Sequence, residues 1–142
     1  AGAAWAQQQN YPTRPVRYII PFPPGGSTDP MGRFIAGKLT EKWGHSVVVD
    51  NRPGGNTVIG TEVLARAQPD GYTIGVGTVS TLTVNPLLLK ASRVDPLKDF
   101  TPITTLAPIM RAMRDTIGIV AAGTPKNGTN TEFVAPRSMS GR

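Results

Sequence analysis

The sequence predicts an α/β fold, a parallel β-α-β-α-β sheet. Short β-branched runs alternate with segments of helical period, and a glycine- and proline-rich loop follows the first two runs. The alternation closes within about sixty residues, which implies parallel strands joined by right-handed crossovers. Val16-Arg17-Tyr18-Ile19-Ile20 reads as the first strand, apolar enough to be buried on both faces. The loop Pro21 to Asp29 follows. Pro30 to Trp43 reads as a helix, with Met31, Phe34, Ile35 and Leu39 on one face and Arg33, Lys38 and Lys42 away from it. Asp29 is its expected N-cap and Gly44 its stop.

Val47-Val48-Val49 centres the second strand, and Arg52 to Asn56 is a loop. Thr57 is expected to cap a second helix running to about Ala67, with Ile59 and Val63 facing inward. Pro69-Asp70-Gly71 is a turn and Tyr72 to Gly77 the third strand. Val79 to Pro86 reads as the loop above it, Asp95 to Phe100 as a turn or short helix, and Thr101 to Ala107 as a further strand. Beyond Ala107 the pattern weakens. Ile109 to Arg114 reads as a helical turn, Gly118 to Ala122 as a short strand, and Lys126 to Arg142 as disorder. The expected organisation is a flexible terminus or export-signal remnant at 1–10, an α/β ligand-binding lobe at 11–107, and a divergent tail at 108–142.

Composition narrows the function. The 142 residues include no cysteine and one histidine. Disulfides, thiolate metal sites and cysteine nucleophiles are excluded, and a histidine-rich metal site has no ligands. No apolar run approaches the roughly 20 residues of a membrane span. The net charge is +6, but the basic residues are scattered rather than gathered in a stripe, which argues against nucleic acid. Ala4-Trp5-Ala6 fits the small-x-small pattern before a signal-peptidase cut, which points to the periplasm.

Ligands of an open parallel sheet sit beyond the carboxyl ends of its strands. Two loops reach that edge. The first carries Phe22, Pro24, Gly25, Gly26, Ser27, Thr28 and Asp29. Its glycine pair is expected to turn successive N–H groups into an anion-binding nest, with the helix N-terminus behind it. A carboxylate or other small oxyanion is the expected guest, each charged hydrogen bond contributing roughly 1.5–3 kcal/mol. The second loop adds the hydroxyls of Thr78, Ser80 and Thr81, which either hold a ligand or close a turn. There is no Gly-x-x-x-x-Gly-Lys and no Gly-x-Gly-x-x-Gly, so nucleotides are poorly served. Ser27 has no histidine beside it, His45 falls at the opposite edge, and Arg52 is expected to pair with Asp50. No catalytic residue, cofactor or metal is predicted.

Taken together, Phe22-Pro23-Pro24-Gly25-Gly26-Ser27-Thr28-Asp29, Asp50-Asn51-Arg52-Pro53-Gly54-Gly55-Asn56, Gln68-Pro69-Asp70-Gly71-Tyr72-Thr73, Asn85-Pro86 and Asp95-Pro96-Leu97-Lys98-Asp99-Phe100-Thr101-Pro102 resemble the Bug family. These are the TctC-type receptors of tripartite tricarboxylate transporters. The resemblance runs in order from about Tyr11 to Ala107. It implies the first lobe of a type II periplasmic binding-protein fold, in which two lobes close on a small carboxylate for delivery to a membrane transporter. It implies dicarboxylates, amino acids or aromatic acids as ligands, held by the first loop with ordered waters and by the loop after the third strand.

Members of that family are about twice as long as this chain. The expectation is a first lobe without its closing partner, through truncation, frameshift or internal deletion. Gly118 to Lys126 resembles the later segment by which the chain returns to the first lobe. Such a half-site is expected to bind weakly, since ion contacts open to water are screened. The alternatives are a non-functional truncated product, or an interaction protein that uses the exposed lobe face, self-association included.

Overall fold

The structure is a computed structural model, and it describes residues 11–89, 92–105 and 117–123. The elements run β1 (Val16–Ile20), α1 (Thr28–Trp43), β2 (Val47–Asn51), α2 (Val58–Ala65), β3 (Thr73–Thr78), a π-helical turn (Ser80–Val84), α3 (Asn85–Leu88), α4 (Pro96–Asp99), β4 (Phe100–Thr105) and β5 (Ile117–Ala122). The expectations for residues 1–10, Ile109 to Arg114 and Lys126 to Arg142 lie outside the described residues.

The sheet order is β2-β1-β3-β5-β4. β2, β1 and β3 are parallel, as expected. β5 inserts antiparallel between β3 and β4, so the sheet is mixed. Pro102 and a register shift between Pro102 and Thr104 fall in β4, an edge strand, where a missing donor is tolerated.

Each face of the sheet has its own core. Val16, Tyr18 and Ile20 point to the α1 side and pack with Ala36, Val47, Ile74, Val76 and Ile119. Ile19 points to the other side and meets Leu64 of α2 with Val94, Phe100, Val120 and Ala122. β1 is therefore buried on both faces, the reason its run has no polar alternation. Each buried valine, leucine, isoleucine or phenylalanine among them contributes roughly 1.5–3 kcal/mol. The hydroxyl of Tyr18 has no hydrogen-bond partner among the described residues, and burial pushes its pKa up.

The helices keep most of the expected faces, and the two exceptions share a reason. α1 touches the sheet through Thr28, Gly32 and Ala36, with Met31, Ile35, Leu39 and Trp43 beside them. A Cβ at Gly32 would lie 2.4 Å from Ile20 Cδ1, so the helix approaches on its smallest residues. Phe34, two positions from Ala36, points away and is 67% exposed. In α2 the buried residues are Gly60, Thr61 and Leu64, Val63 packs against the second core as expected, and Ile59 is 52% exposed. α2 also stops at Ala65, two residues short of the expected end. Gly44 does end α1, in the left-handed conformation, its N–H bonded to Thr40 O at 3.0 Å. Trp43 packs at that end, edge-on to Tyr11.

Gly60 fixes how closely α2 sits. A Cβ there would come within 2.5 Å of the Arg52 carbonyl oxygen and 2.8 Å of Pro21 Cα, both backbone atoms that cannot rotate aside. Gly60→Ala is expected to destabilise the chain by about 1–3 kcal/mol, the usual cost of overpacking. Urea denaturation with an unchanged slope is the check; a variant as stable as the parent refutes this packing.

Candidate functional site

β1 and β3 are neighbours, yet the segments that follow them leave in opposite directions. α1 leads to β2 on one side, and the chain after β3 leads to β4 on the other. In open sheets such a reversal marks the ligand crevice, which here falls at the carboxyl edge between β1 and β3. The loops after β1, β2 and β3 all end there.

The loop after β1 is organised by Asp29. This residue is not the N-cap. Ser27 holds that position without a side-chain cap bond, and α1 begins at Thr28. Asp29 lies in the first helical turn and is 5% exposed. Its Oδ2 accepts from Gly25 N–H at 3.1 Å and from Arg33 Nε at 3.0 Å. Its Oδ1 accepts from Asn51 Nδ2 at 2.9 Å. Asn51 also donates to Phe22 O at 3.2 Å and accepts from Arg33 Nη2 at 3.1 Å. The Arg33 guanidinium, with the Gly25 and Asn51 donors, holds the Asp29 carboxyl down at about 2.

This corrects the expected nest. Gly25 does take the left-handed conformation, with φ 77°. Its amide, however, serves Asp29, and the Gly26 N–H is tied to Pro23 O at 3.3 Å. Asp29 N–H returns to Gly26 O at 3.2 Å. The anion cradled by the glycine turn is therefore the chain's own carboxylate. The N–H groups of Ser27 and Thr28 have no acceptor among the described residues. They lie at the N-terminus of a sixteen-residue helix, where the backbone carries roughly half a positive charge.

After β3 the chain coils at once, through the π-helical turn and α3, where a loop was expected. Thr81 is 2% exposed. Its Oγ1 accepts from Thr78 N–H at 2.7 Å and donates to Thr78 O at 3.0 Å, while Thr81 N–H donates to Thr78 Oγ1 at 3.2 Å. Both hydroxyls are thus spent on closing the turn. Ser80 is exposed and makes no side-chain bond among the described residues. Beside the turn, Gly77, Thr78, Leu82, Pro102, Gly118 and Val120 line a largely apolar cavity of about 250 Å³.

Residue-type reasoning missed Arg33, Asn51, Asn56, Thr57 and Asn85. Asn56 and Thr57 are the described non-glycine residues with positive φ, 52° and 73°. They follow Gly54 and Gly55, also positive, making four such residues in a row. Asn85, 3% exposed, donates from Nδ2 to Asn56 O at 2.5 Å and to Thr57 Oγ1 at 3.0 Å, and accepts from Asn56 Nδ2 at 2.9 Å. Thr57 stands at the N-cap position of α2 as expected but spends no side-chain bond on the cap. The signals were present: Asn51, Asn56 and Asn85 all fall inside the motifs that carry the family resemblance.

Other expected placements hold. Arg52 Nε meets Asp50 Oδ1 at 2.9 Å, and Arg17 also bonds Asp50. Burial raises the Asp50 pKa, the two arginines outweigh it, and the group ends below its usual value. His45 lies between α1 and β2, at the edge away from the crevice. No group of three or more metal-ligating side chains occurs among the described residues.

A model of the tripartite tricarboxylate transporter family receptor, TctC, matches residues 31–138. The chain belongs to that family. BugT of Bordetella pertussis is 40% identical over 108 residues, 75% of this chain and 33% of that protein. The BugD periplasmic binding protein superposes with a TM-score of 0.63 at 40% identity, covering 67% of this chain and 31% of that one. An R. palustris protein solved with adipate gives 0.64 at 40% identity over 67% and 32%. MatC from Rhodopseudomonas palustris, with bound malate, gives 0.64 at 32% over 68% and 33%. The matched stretch is about a third of each relative's length. The fold is that of periplasmic binding proteins, and the family is one of solute receptors rather than enzymes.

Two outcomes follow from the Asp29 geometry. Gly25→Ala meets no neighbour within 4 Å, so its cost is the left-handed strain alone, about 1–2 kcal/mol in a thermal melt. Asp29 has a folded pKa near 2 against 3.8 for the free side chain. Its contribution is complete above pH 4 and is lost as pH falls through 2. Asp29→Asn is therefore expected to lower the urea midpoint at pH 7 and to flatten the loss of stability between pH 4 and 2. An equally steep acid limb in the variant refutes the assignment.

Proposed function

We infer that this chain carries the first-lobe half of a periplasmic receptor site for a small dicarboxylate, captured for a membrane transporter. The observation that carries this is the pair of amides at Ser27 and Thr28, left without an acceptor at the head of α1 beside the β1/β3 crevice. The adipate and malate bound by two similar structures support a dicarboxylate class. One carboxylate is received by the two amides and the Ser27 hydroxyl. Two charge-assisted hydrogen bonds supply roughly 3–6 kcal/mol, less the cost of association. Hydrogen bonds this open to water leave a small surplus, so dissociation constants of about 1 mM are expected of these donors.

Amide NMR of the chain titrated with adipate and with malate tests this. The expected result is saturable shifts at Ser27 and Thr28, absent with a neutral diol of the same length. Ser27→Pro removes both the amide and the hydroxyl donor where φ is −58°, an angle proline adopts, and is expected to weaken binding at least tenfold. Shifts that fail to saturate, or that appear elsewhere in the sheet, refute the reading.

A further inference from the structure

We propose that Asn85 is a positioning residue for this site, a latch that holds the β2–α2 loop in its left-handed path and thereby seats α2 beneath the carboxylate-binding loop. The proposal rests on the receptor reading above for the ligand, and on the geometry alone for the latch.

A β-branched residue at φ 73° is sterically disfavoured, and an ordinary loop relaxes out of it. Two adjacent non-glycine residues in that region therefore need an outside restraint. Asn85 is the side chain that supplies it. Its carboxamide uses both ends: Nδ2 holds Asn56 O and Thr57 Oγ1, and Oδ1 receives the Asn56 side chain. The residue comes from the far side of β1, 28 and 29 positions along the chain, so the bonds bridge the loops after β2 and β3 across the sheet edge. Its burial removes competition from water, which makes losing a partner costly.

The consequence reaches the loop after β1 through packing. Thr57 O accepts from Thr61 N–H and Thr61 Oγ1, so fixing Thr57 fixes the first turn of α2. Gly60 of that turn lies flat against Pro21, the residue from which the Phe22–Asp29 loop springs. Asn85 thus reaches the Ser27 and Thr28 donors through Thr57, Gly60 and Pro21, with no contact to them.

Amide hydrogen exchange on the 142-residue chain, with the adipate titration alongside, tests the latch. Asn85→Ala is expected to speed exchange at least tenfold in residues 54–61, to leave β1 protection unchanged, and to weaken adipate at least threefold. Asn56→Gly keeps the left-handed backbone and loses one latch bond at an exposed position. It provides a folded control, expected to act in the same segment with a smaller effect. Uniform acceleration across the sheet in both variants means a merely structural asparagine and overturns the proposal. So does unchanged exchange at 54–61, or local acceleration with adipate affinity held within 1.5-fold. If the parent chain binds neither acid, the receptor reading fails, and the exchange map by itself still decides whether Asn85 is a latch.

Discussion

The carboxylate of Asp29 ties three pieces of chain together: the glycine turn through Gly25, the helix through Arg33, and the end of β2 through Asn51. Each partner comes from a different part of the chain, and Arg33 and Asn51 also bond one another. A buried carboxylate without them is costly, so the bonds and the burial sustain each other. The course of the Phe22–Asp29 loop and its junction with α1 follow from that one ionised group. Had Asp29 been the helix cap, its oxygen would have taken an amide from the first turn. It lies within that turn instead and folds back to Gly25.

The sheet supplies the second constraint. β1 is sandwiched, its alternate side chains committed to different helices, so its ends cannot shift register without exposing one core or the other. The loops that leave its carboxyl edge are therefore anchored on a rigid base. Small residues at the helix contacts (Gly32 against Ile20, Gly60 against Pro21 and Arg52) bring both helices close. Close packing passes a loop's position on to its neighbour, whereas a longer side chain in between could absorb the displacement.

Much of this was legible in the sequence. The order β-α-β-α-β, the stop at Gly44, the Asp50–Arg52 pair and the gathering of the loops after β1 and β3 at one sheet edge all follow from local pattern and turn chemistry. What escaped was set by partners remote in the chain. Counting apolar residues placed Phe34 and Ile59 inside, but helix contact was decided by the size of Gly32, Ala36 and Gly60. β5 reads as a strand locally, while its antiparallel insertion between β3 and β4 depends on pairing that no short window contains. Asn85 looks like an ordinary turn residue beside Pro86; its role appears only when the fold brings Asn56 and Thr57 against it. Thr78 and Thr81 offered hydroxyls at the right edge, and the tight coil after β3 used them to satisfy its own backbone.

If the Phe22–Asp29 loop receives an acid, as proposed, an aspartate within it presents an electrostatic difficulty, and Arg33 resolves it. Two like unit charges about 6 Å apart repel by roughly 2.8 kcal/mol at an effective dielectric of 20, enough to cancel one charge-assisted hydrogen bond. Arg33 lies at 3.0 Å from Asp29, so an approaching carboxylate meets a neutral pair rather than an anion. Protonating Asp29 would also relieve the repulsion, but it would weaken the Gly25 bond that shapes the loop. The arginine separates the two tasks: the carboxylate stays ionised to hold the turn, and its field is cancelled locally. On the proposed reading, the partial positive charge at the head of α1 would then act on a ligand carboxylate without opposition from Asp29.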